Sequence, residues 1–428
     1  MSQTNGEDVA ARIQELVGIQ NFVRHNPQSD HFTVHRFHHI EFWCADATNA
    51  YKRFQVGLGM QLAAKSDQST NNGLFASYAV RSGELLFSFT APYSKRAALD
   101  EAQTTHPLFD SEEAFRFVKA HGLGARAIGV TVDDAATAFR ISVERGAVAV
   151  TSPVELPDPA SETTQCIAEV QIYGDVVLRF ISGSFAGPYL AGYETVDGPG
   201  LNYGLTRLDH AVGNVHNLLE AANHIMGFTG FHRFAEFTAK DVGTVDSGLN
   251  SFAMANNNEY VLLLVNEPTF GTKRKSQIQT YLEQNEGPGV QHLAIKTNDI
   301  FKTLKKMRAV SEFGGFEFMP RPDDGYYKRL PDRIGDALTP EQYEEMEKLG
   351  VLADRDDQGL LLQIFTKPVS DRATIFLEII QRIGCEHEEE DENGTCVIEQ
   401  SGGCGGFGKG NITELFRCVE EYEKSLAV

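Results

Sequence analysis

The sequence predicts an α+β fold in which four βαβββ modules pair into two open-barrel domains. Three observations support this prediction: a strand-then-helix pattern recurs four times, each copy leaves room for two further strands, and each copy ends in a strongly β-forming run. The chain has 428 residues, and a single compact core rarely exceeds roughly 250–300, so two domains are expected. Pairing of modules would curl each sheet around a concave interior, where ligands usually bind.

The opening strand and helix of each module can be aligned on one residue, which is histidine in three copies and alanine in one. These first residues lie 88, 83 and 82 positions apart. The residue seven positions further on can accept the free N–H groups of a starting helix, and apolar residues then recur at helical spacing. The first residues are His39, Ala127, His210 and His292, and the capping residues are Asp46, Asp134, Asn217 and Asp299.

The closing strands of the modules are four similar apolar runs. They are ELLFSFT from residue 84, DVVLRFIS from 175, YVLLLVN from 260 and TIFLEII from 374. The Gly/Pro-rich stretch 186–204 separates the second module from the third, as a linker does. We therefore predict an N-terminal extension over 1–31, a non-catalytic N-terminal barrel over 32–189 and a catalytic C-terminal barrel over 205–428.

Two further segments belong to the C-terminal half. An insertion over about 313–358 contains Thr339-Pro-Glu-Gln342, a capping box with proline at the first helical position. Residues 401–411, SGGCGGFGKGN, precede a helical pattern and nearly fit a phosphate-binding loop, but Gly410 stands where a hydroxyl is needed. The acidic stretch beginning at Glu386 has no strand pattern. We therefore interpret the glycines as a hinge that carries a C-terminal lid helix.

The composition excludes several classes of partner. The chain has 38 basic and 59 acidic side chains, which give a formal charge of −21, and this charge argues against nucleic acid and anionic membranes. The longest apolar stretch, residues 260–265, is far shorter than the roughly 20 residues of a membrane span. Six cysteines without a Cys-x-x-Cys pair argue against a disulfide framework. With no visible targeting segment, a cytoplasmic location is expected, and a plastid form from a longer start stays open.

Equivalent positions of the repeat predict a metal site. Side chains alternate across a strand, so residues at equivalent positions should face the same side of each sheet. In the C-terminal half this places His210, His292 and Glu378 together, whereas the equivalent positions of the N-terminal half hold only one histidine, His39. Two imidazoles and one carboxylate leave coordination positions open for substrate and O₂, as in non-haem Fe(II) oxygenases. They also fit catalytic zinc, so these three residues alone do not identify the metal. The closing-strand residues in register are Ser88, Arg179, Leu264 and Glu378.

Long motifs accompany these candidate ligands. They are TKRKSQIQTYLEQNEG at 272–287, DRDDQGLLLQIFTKP at 354–368 and the glycine-rich tail. With the fourfold module, they resemble the plant-type 4-hydroxyphenylpyruvate dioxygenase family of the vicinal-oxygen-chelate superfamily, over nearly the whole chain from about residue 32. The resemblance implies one Fe(II) per chain, a homodimer, and conversion of 4-hydroxyphenylpyruvate and O₂ to homogentisate and CO₂. That reaction belongs to tyrosine and phenylalanine catabolism and to plastoquinone and tocopherol synthesis.

The resemblance also implies which residues form the substrate pocket. A polar network would orient the phenol and the keto acid, and apolar side chains would pack the ring. The polar residues are Gln277, Gln291, Gln363, Ser251 and Asn266, and the apolar ones are Val212, Phe365, Phe376 and Phe407. Two positions depart from the plant pattern: Leu264 replaces a proline, and Ile412 replaces a frequent phenylalanine in the lid.

Three groups of other functions are compatible with parts of this pattern, the first being a different enzyme class on the same fold. An extradiol dioxygenase or a zinc- or nickel-dependent isomerase could share the fold, but the isomerase needs a further carboxylate or base where the register offers Leu264. Hydroxymandelate synthesis from the same substrate would use the same three ligands. A non-catalytic binding module is the third alternative; it predicts that loss of His210, His292 or Glu378 changes no chemistry.

Overall fold

The computed structural model describes residues 12–94, 109–158, 161–242, 248–271, 273–390 and 396–425. Two curled mixed sheets contain most of the strands, and each sheet combines two βαβββ modules. The α+β fold class and the fourfold module are therefore confirmed. No helix of the described ranges is long and apolar enough to cross a bilayer.

The first sheet has nine strands in the order β6-β7-β8-β5-β1-β4-β3-β2-β9. Its two opening strands, β1 and β5, pair antiparallel at the centre, and each pairs in parallel with the closing strand of its own module. The elements are β1 (Val34–Trp43), α1 (Ala47–Leu58), β2 (Gln61–Ser66), β3 (Phe75–Ser82), β4 (Leu85–Pro92), α2 (Ser111–His121), β5 (Gly124–Val132), α3 (Ala135–Glu144), β6 (Ala149–Asp158), β7 (Thr163–Tyr173), β8 (Val176–Gly183) and β9 (Glu194–Thr195).

The second sheet repeats this arrangement with eight strands in the order β11-β12-β13-β10-β14-β17-β16-β15. The predicted insertion forms α8 and α9, with the expected capping box at Thr339. The elements are β10 (Leu205–Asn214), α4 (Leu218–Thr229), β11 (His232–Phe237), α5 (Ala239–Val242), β12 (Leu249–Ala255), β13 (Leu262–Pro268), α6 (Gln277–Gln284), β14 (Gly289–Thr297), α7 (Ile300–Val310), α8 (Asp324–Ile334), α9 (Pro340–Leu349), β15 (Leu352–Arg355), β16 (Gly359–Phe365) and β17 (Phe376–Gly384).

The register of the closing strands follows the repeat. In each module the residue two positions after the first residue pairs with the predicted equivalent of Glu378. The pairs are Glu41 with Ser88, Gly129 with Arg179, Val212 with Leu264, and Ala294 with Glu378. The alignment made from sequence alone is thus correct at all four closing strands.

All four predicted helix caps form. At α3, for example, the Asp134 carboxylate accepts a hydrogen bond from the backbone N–H of Thr137 at 2.6 Å. The other caps, at Asp46, Asn217 and Asp299, accept from the equivalent N–H at 3.0, 3.1 and 2.9 Å.

Replacing the α3 cap should destabilise the first barrel slightly. Asp134 is exposed and caps one N–H, so we expect Asp134→Ala to lower the free energy of unfolding by about 0.5–2 kcal/mol. Urea denaturation measures the change. Asp134→Asn keeps a capping oxygen and should remain within a few tenths of wild type; an equal loss in both variants would contradict the capping role.

The segment after β17 corrects two expectations. The acidic stretch forms a strand, β18 (Glu386–Glu390), which pairs antiparallel with β19 (Cys396–Gln400); residues 391–395 lie outside the described part. The glutamates of β18 lie opposite uncharged residues of β19, so like charges do not face each other directly across the ribbon. Cys385 and Cys404 form a disulfide, so the expectation of no disulfide is wrong. The fold brings these cysteines to a Cα–Cα distance of 6.0 Å, a proximity that sequence spacing does not report. Helix α10 (Lys409–Ser425) follows the glycine loop.

The N-terminal residues pack against the second sheet rather than the first. The backbone N–H groups of Val17 and Gly18 donate to Glu236 of β11, and Asp30 exchanges hydrogen bonds with Asn257. Residues 1–11 of the predicted extension lie outside the described part of the chain. The described part of that extension therefore contributes to the outside of the C-terminal barrel.

Candidate metal centre and its cavity

Three predicted ligands meet on neighbouring strands of the second sheet. His210 lies on β10, His292 on β14 and Glu378 on β17, and one ligand atom from each lies within 4.8 Å of the others. The Nε2 atoms of His210 and His292 are 3.3 and 3.5 Å from the same oxygen, Oε2 of Glu378. Two nitrogens and one oxygen that converge in this way form a donor set suited to a divalent metal.

The opposite ring nitrogen of each histidine already has a partner. Nδ1 of His210 lies 2.8 Å from Oδ2 of Asp209, and Nδ1 of His292 lies 3.0 Å from Oε1 of Gln291. Since both partners are oxygen acceptors, Nδ1 donates in each imidazole, and Nε2 is the nitrogen left to face Glu378 and a bound metal. Such partners fix the tautomer and orientation of metal-binding histidines. The site is therefore organised to present three lone pairs at one point.

The charges around the triad are compensated only in part. Burial lowers the pKa of His292 well below its ordinary value, and the positive charge of His210 lowers it further. For His210, burial also opposes protonation, but hydrogen bonds with Asp209 and Glu378 outweigh it and raise the pKa. Arg382 pairs with the buried Asp209, so Glu378 is the carboxylate whose burial an additional cation would offset. The donor set fits a bound metal.

The equivalent place in the first sheet contains an arginine. Arg179, which occupies the register position of Glu378, donates to Nε2 of His39 at 2.9 Å. It also donates to the buried carboxylates of Glu41 and Glu169, both at 2.7 Å. A guanidinium therefore fills the centre of the N-terminal barrel and pairs with the carboxylates there.

All twelve residues predicted for the metal site and the pocket line one cavity. No sequence pattern points to Phe237 or Leu249, and Leu264 stands out in the sequence for its register with Glu378 and as a departure from the plant pattern. The lining residues are His210, Val212, Phe237, Leu249, Ser251, Leu264, Asn266, Gln277, Gln291, His292, Gln363, Phe365, Phe376, Glu378 and Phe407. The cavity volume is about 70 Å³, below the roughly 300–1,000 Å³ of typical small-molecule sites.

Amides connect the wall of the cavity to the triad. Nε2 of Gln363 donates to Oε1 of Glu378 at 3.0 Å, which leaves Oε2 directed at the histidines. Nδ2 of Asn266 donates to Oε1 of Gln291 at 3.3 Å. Nδ2 of Asn411, at the start of the lid helix, donates to Oε1 of Gln363 at 3.2 Å. The polar network therefore reaches from the carboxylate ligand to the lid.

Aromatic rings close the other sides. Phe376 stacks on His292 with ring centroids 4.9 Å apart and an interplanar angle of 17°. Phe407 meets His210 edge-on at 5.2 Å. Next to it, Gly408 has a φ of +69°, and a Cβ there would lie 2.0 Å from Oε1 of Gln363, so only glycine fits. The side chain of Ile412, the second departure, lies outside the described part.

Comparison with known proteins supports one family. No family model matches the chain. A 4-hydroxyphenylpyruvate dioxygenase from Daucus carota is 58% identical over 428 residues, which cover 99% of this chain and 95% of that protein. One from Arabidopsis thaliana is 55% identical over 423 residues, covering 96% and 93%. A solved mutant of 4-hydroxymandelate synthase from Streptomyces coelicolor shares the fold, with a TM-score of 0.71, 23% identity, and coverage of 91% of this chain and 98% of that one.

Proposed function

This chain belongs to the 4-hydroxyphenylpyruvate dioxygenase family, and we propose that it converts 4-hydroxyphenylpyruvate and O₂ to homogentisate and CO₂ using one Fe(II). The observation that supports this most directly is the convergence of His210, His292 and Glu378 on one point inside a cavity lined by aromatic and amide side chains. The reaction is a dioxygenase step of tyrosine and phenylalanine catabolism that also serves plastoquinone and tocopherol synthesis.

Fe(II) held by the three ligands would supply positions for a chelating 2-oxo acid and for O₂. The chain's own contribution is orientation. Gln363 holds Glu378 through Oε1, and Gln291 holds His292 through Nδ1, so both ligands stay in place when substrate enters. We assign Gln277, Gln291 and Gln363 to the catalytic polar network, with Ser251 and Asn266 as further contacts of the substrate's oxygens.

The substrate ring would pack between phenylalanines. Phe365, Phe376 and Phe407 line the cavity beside Val212, and aromatic side chains offer an aromatic substrate both apolar area and favourable ring geometry. Because the cavity measures only about 70 Å³, substrate entry requires outward movement of the lid residues. We therefore assign Phe407 and α10 to closing the site behind the substrate and excluding water.

The two barrels would have different roles. We propose that residues 205–428 form the catalytic domain and that residues 32–189 form a non-catalytic domain, in which Arg179 pairs with the carboxylates at the barrel centre. The family resemblance predicts a homodimer. The sequence predicts a cytoplasmic location.

The test of the proposed function measures O₂ uptake and the aromatic product when Fe(II)-loaded protein meets 4-hydroxyphenylpyruvate. We expect homogentisate in equal amount to the O₂ consumed. Formation of 4-hydroxymandelate instead would assign the chain to hydroxymandelate synthesis. No O₂ uptake by folded, iron-loaded protein would contradict the proposal.

A further inference from the structure

A buried arginine lies between the metal ligands and the glycine loop, defined as residues 401–408. The side chain of Arg382, on β17, is 0% exposed. Its Nε and Nη2 donate to the two oxygens of Asp209 at 2.9 and 2.7 Å. Its Nη1 donates to the backbone carbonyls of Cys404 and Gly406 at 2.5 and 2.6 Å. One rigid guanidinium therefore binds a carboxylate on one side and the glycine loop on the other.

The carboxylate that Arg382 binds, Asp209, also contacts the proposed metal ligand His210. Asp209 is 1% exposed and accepts from Nδ1 of His210 at 2.8 Å. The same oxygen, Oδ2, accepts from Arg382 at 2.7 Å. The position of the carboxylate therefore depends on Arg382, and the orientation of the His210 ring depends on the carboxylate.

The loop that Arg382 binds contains Phe407, which covers the proposed metal centre. The two carbonyls that Arg382 binds, of Cys404 and Gly406, belong to the three residues immediately before Phe407. The Phe407 ring is 5.2 Å from the His210 ring and 5.8 Å from Cζ of Arg382. Helix α10 begins two residues later, at Lys409. If the loop moved outward, Arg382 would lose two charge-assisted hydrogen bonds to carbonyl acceptors, which favours the closed loop.

We propose that Arg382 is a positioning residue that couples metal binding at His210, through Asp209, to closure of the glycine loop over the site. The coupling rests on the proposed function, because it assumes that the triad holds the metal. Because coupling between two sites is reciprocal, a bound metal should favour the closed loop, and a closed loop should tighten metal binding.

The test uses Co(II) as a spectroscopic probe of the triad and backbone hydrogen exchange as a probe of the loop, with the disulfide oxidised throughout. In wild type, Co(II) should slow exchange in the peptides covering 401–411. Arg382→Lys keeps the charge but cannot reproduce the four hydrogen bonds of the planar fork. In this variant we expect about 10–100-fold weaker Co(II) binding. Co(II) should also no longer slow hydrogen exchange in 401–411.

Asp209→Asn provides a second variant of nearly the same shape. It does not touch the loop, yet the coupling predicts faster exchange in 401–411 together with weaker Co(II) binding. A purely local role of Asp209 would change Co(II) binding alone. Asp209→Asn therefore tests the coupling even if Arg382→Lys fails to fold.

The matched control is Arg179→Lys, which changes an equally buried arginine in the first sheet. It should leave both the Co(II) affinity and the exchange of 401–411 as in wild type. The coupling is overturned if Arg382→Lys binds Co(II) within twofold of wild type, or if Co(II) does not slow the loop in wild type. If wild type and His292→Ala bind Co(II) equally, the metal site itself is wrong, and the proposed function fails with it.

Discussion

Replacing His292 by alanine should remove metal binding and turnover together. The triad supplies three protein donors, and loss of one leaves too few to hold Fe(II) in place against water. A bound metal contributes several kcal/mol of transition-state stabilisation, and each 1.36 kcal/mol corresponds to tenfold in rate. We therefore expect a loss of turnover on the order of 10³-fold or more, measured as homogentisate formation, together with loss of stoichiometric iron.

The repeat offers a matched control for this substitution. His39 occupies the position of His292 in the first module, but its Nε2 contacts Arg179. His39→Ala should retain iron and turnover, although removal of a buried ring lowers stability. Retention of iron and activity by His292→Ala would contradict the assignment of the triad. Equal loss of iron in both variants would indicate that general destabilisation causes the effect.

Replacing Arg179 by methionine should cause the largest loss of stability. Arg179 pairs with Glu41 and Glu169, and all three side chains are buried. Removing one partner of such a network leaves uncompensated buried charge, which typically costs about 3–5 kcal/mol. Urea denaturation should show this loss. Arg140→Met, which breaks an exposed ion pair with Glu144 on α3, should change the free energy of unfolding by less than about 1 kcal/mol.

The Arg179→Met variant should also change how the free energy of unfolding depends on pH. Burial alone would raise the pKa of Glu169, but Arg179, together with the Thr151 hydroxyl and the charge of Arg126, outweighs burial, and the pKa lies below the ordinary 4.5. In wild type, ionised Glu169 therefore contributes stability above about pH 4.5 that is lost as the pH falls through the folded pKa. Without Arg179, burial should raise the pKa, so that the variant is stabilised by protonation. We expect the loss of unfolding free energy in Arg179→Met, relative to wild type, to be largest near neutral pH and smaller in acid. A loss that does not vary with pH would contradict this.

The sequence by itself determined the modules, their caps and the triad. These features depend on local rules: side chains alternate along a strand, and a capping oxygen precedes a helix. Because each module repeats the same local pattern, aligning His210 with His292 and placing Glu378 in register required no knowledge of distant contacts. The pocket residues came from family resemblance, since nothing in the pattern around Gln277 or Phe407 distinguishes a pocket residue from ordinary core.

Only the tertiary structure decided how distant segments meet. Cys385 and Cys404 carry no spacing signal, yet the path of β17 and the glycine loop brings them together. Arg382 lies on the same strand face as Glu378 by alternation, but its partners, Asp209 and two loop carbonyls, depend on where that loop returns. Local propensities act over a few residues, whereas these contacts join positions as far apart as 173 in sequence. They form only when the completed barrel brings β17, Asp209 and the returning loop together.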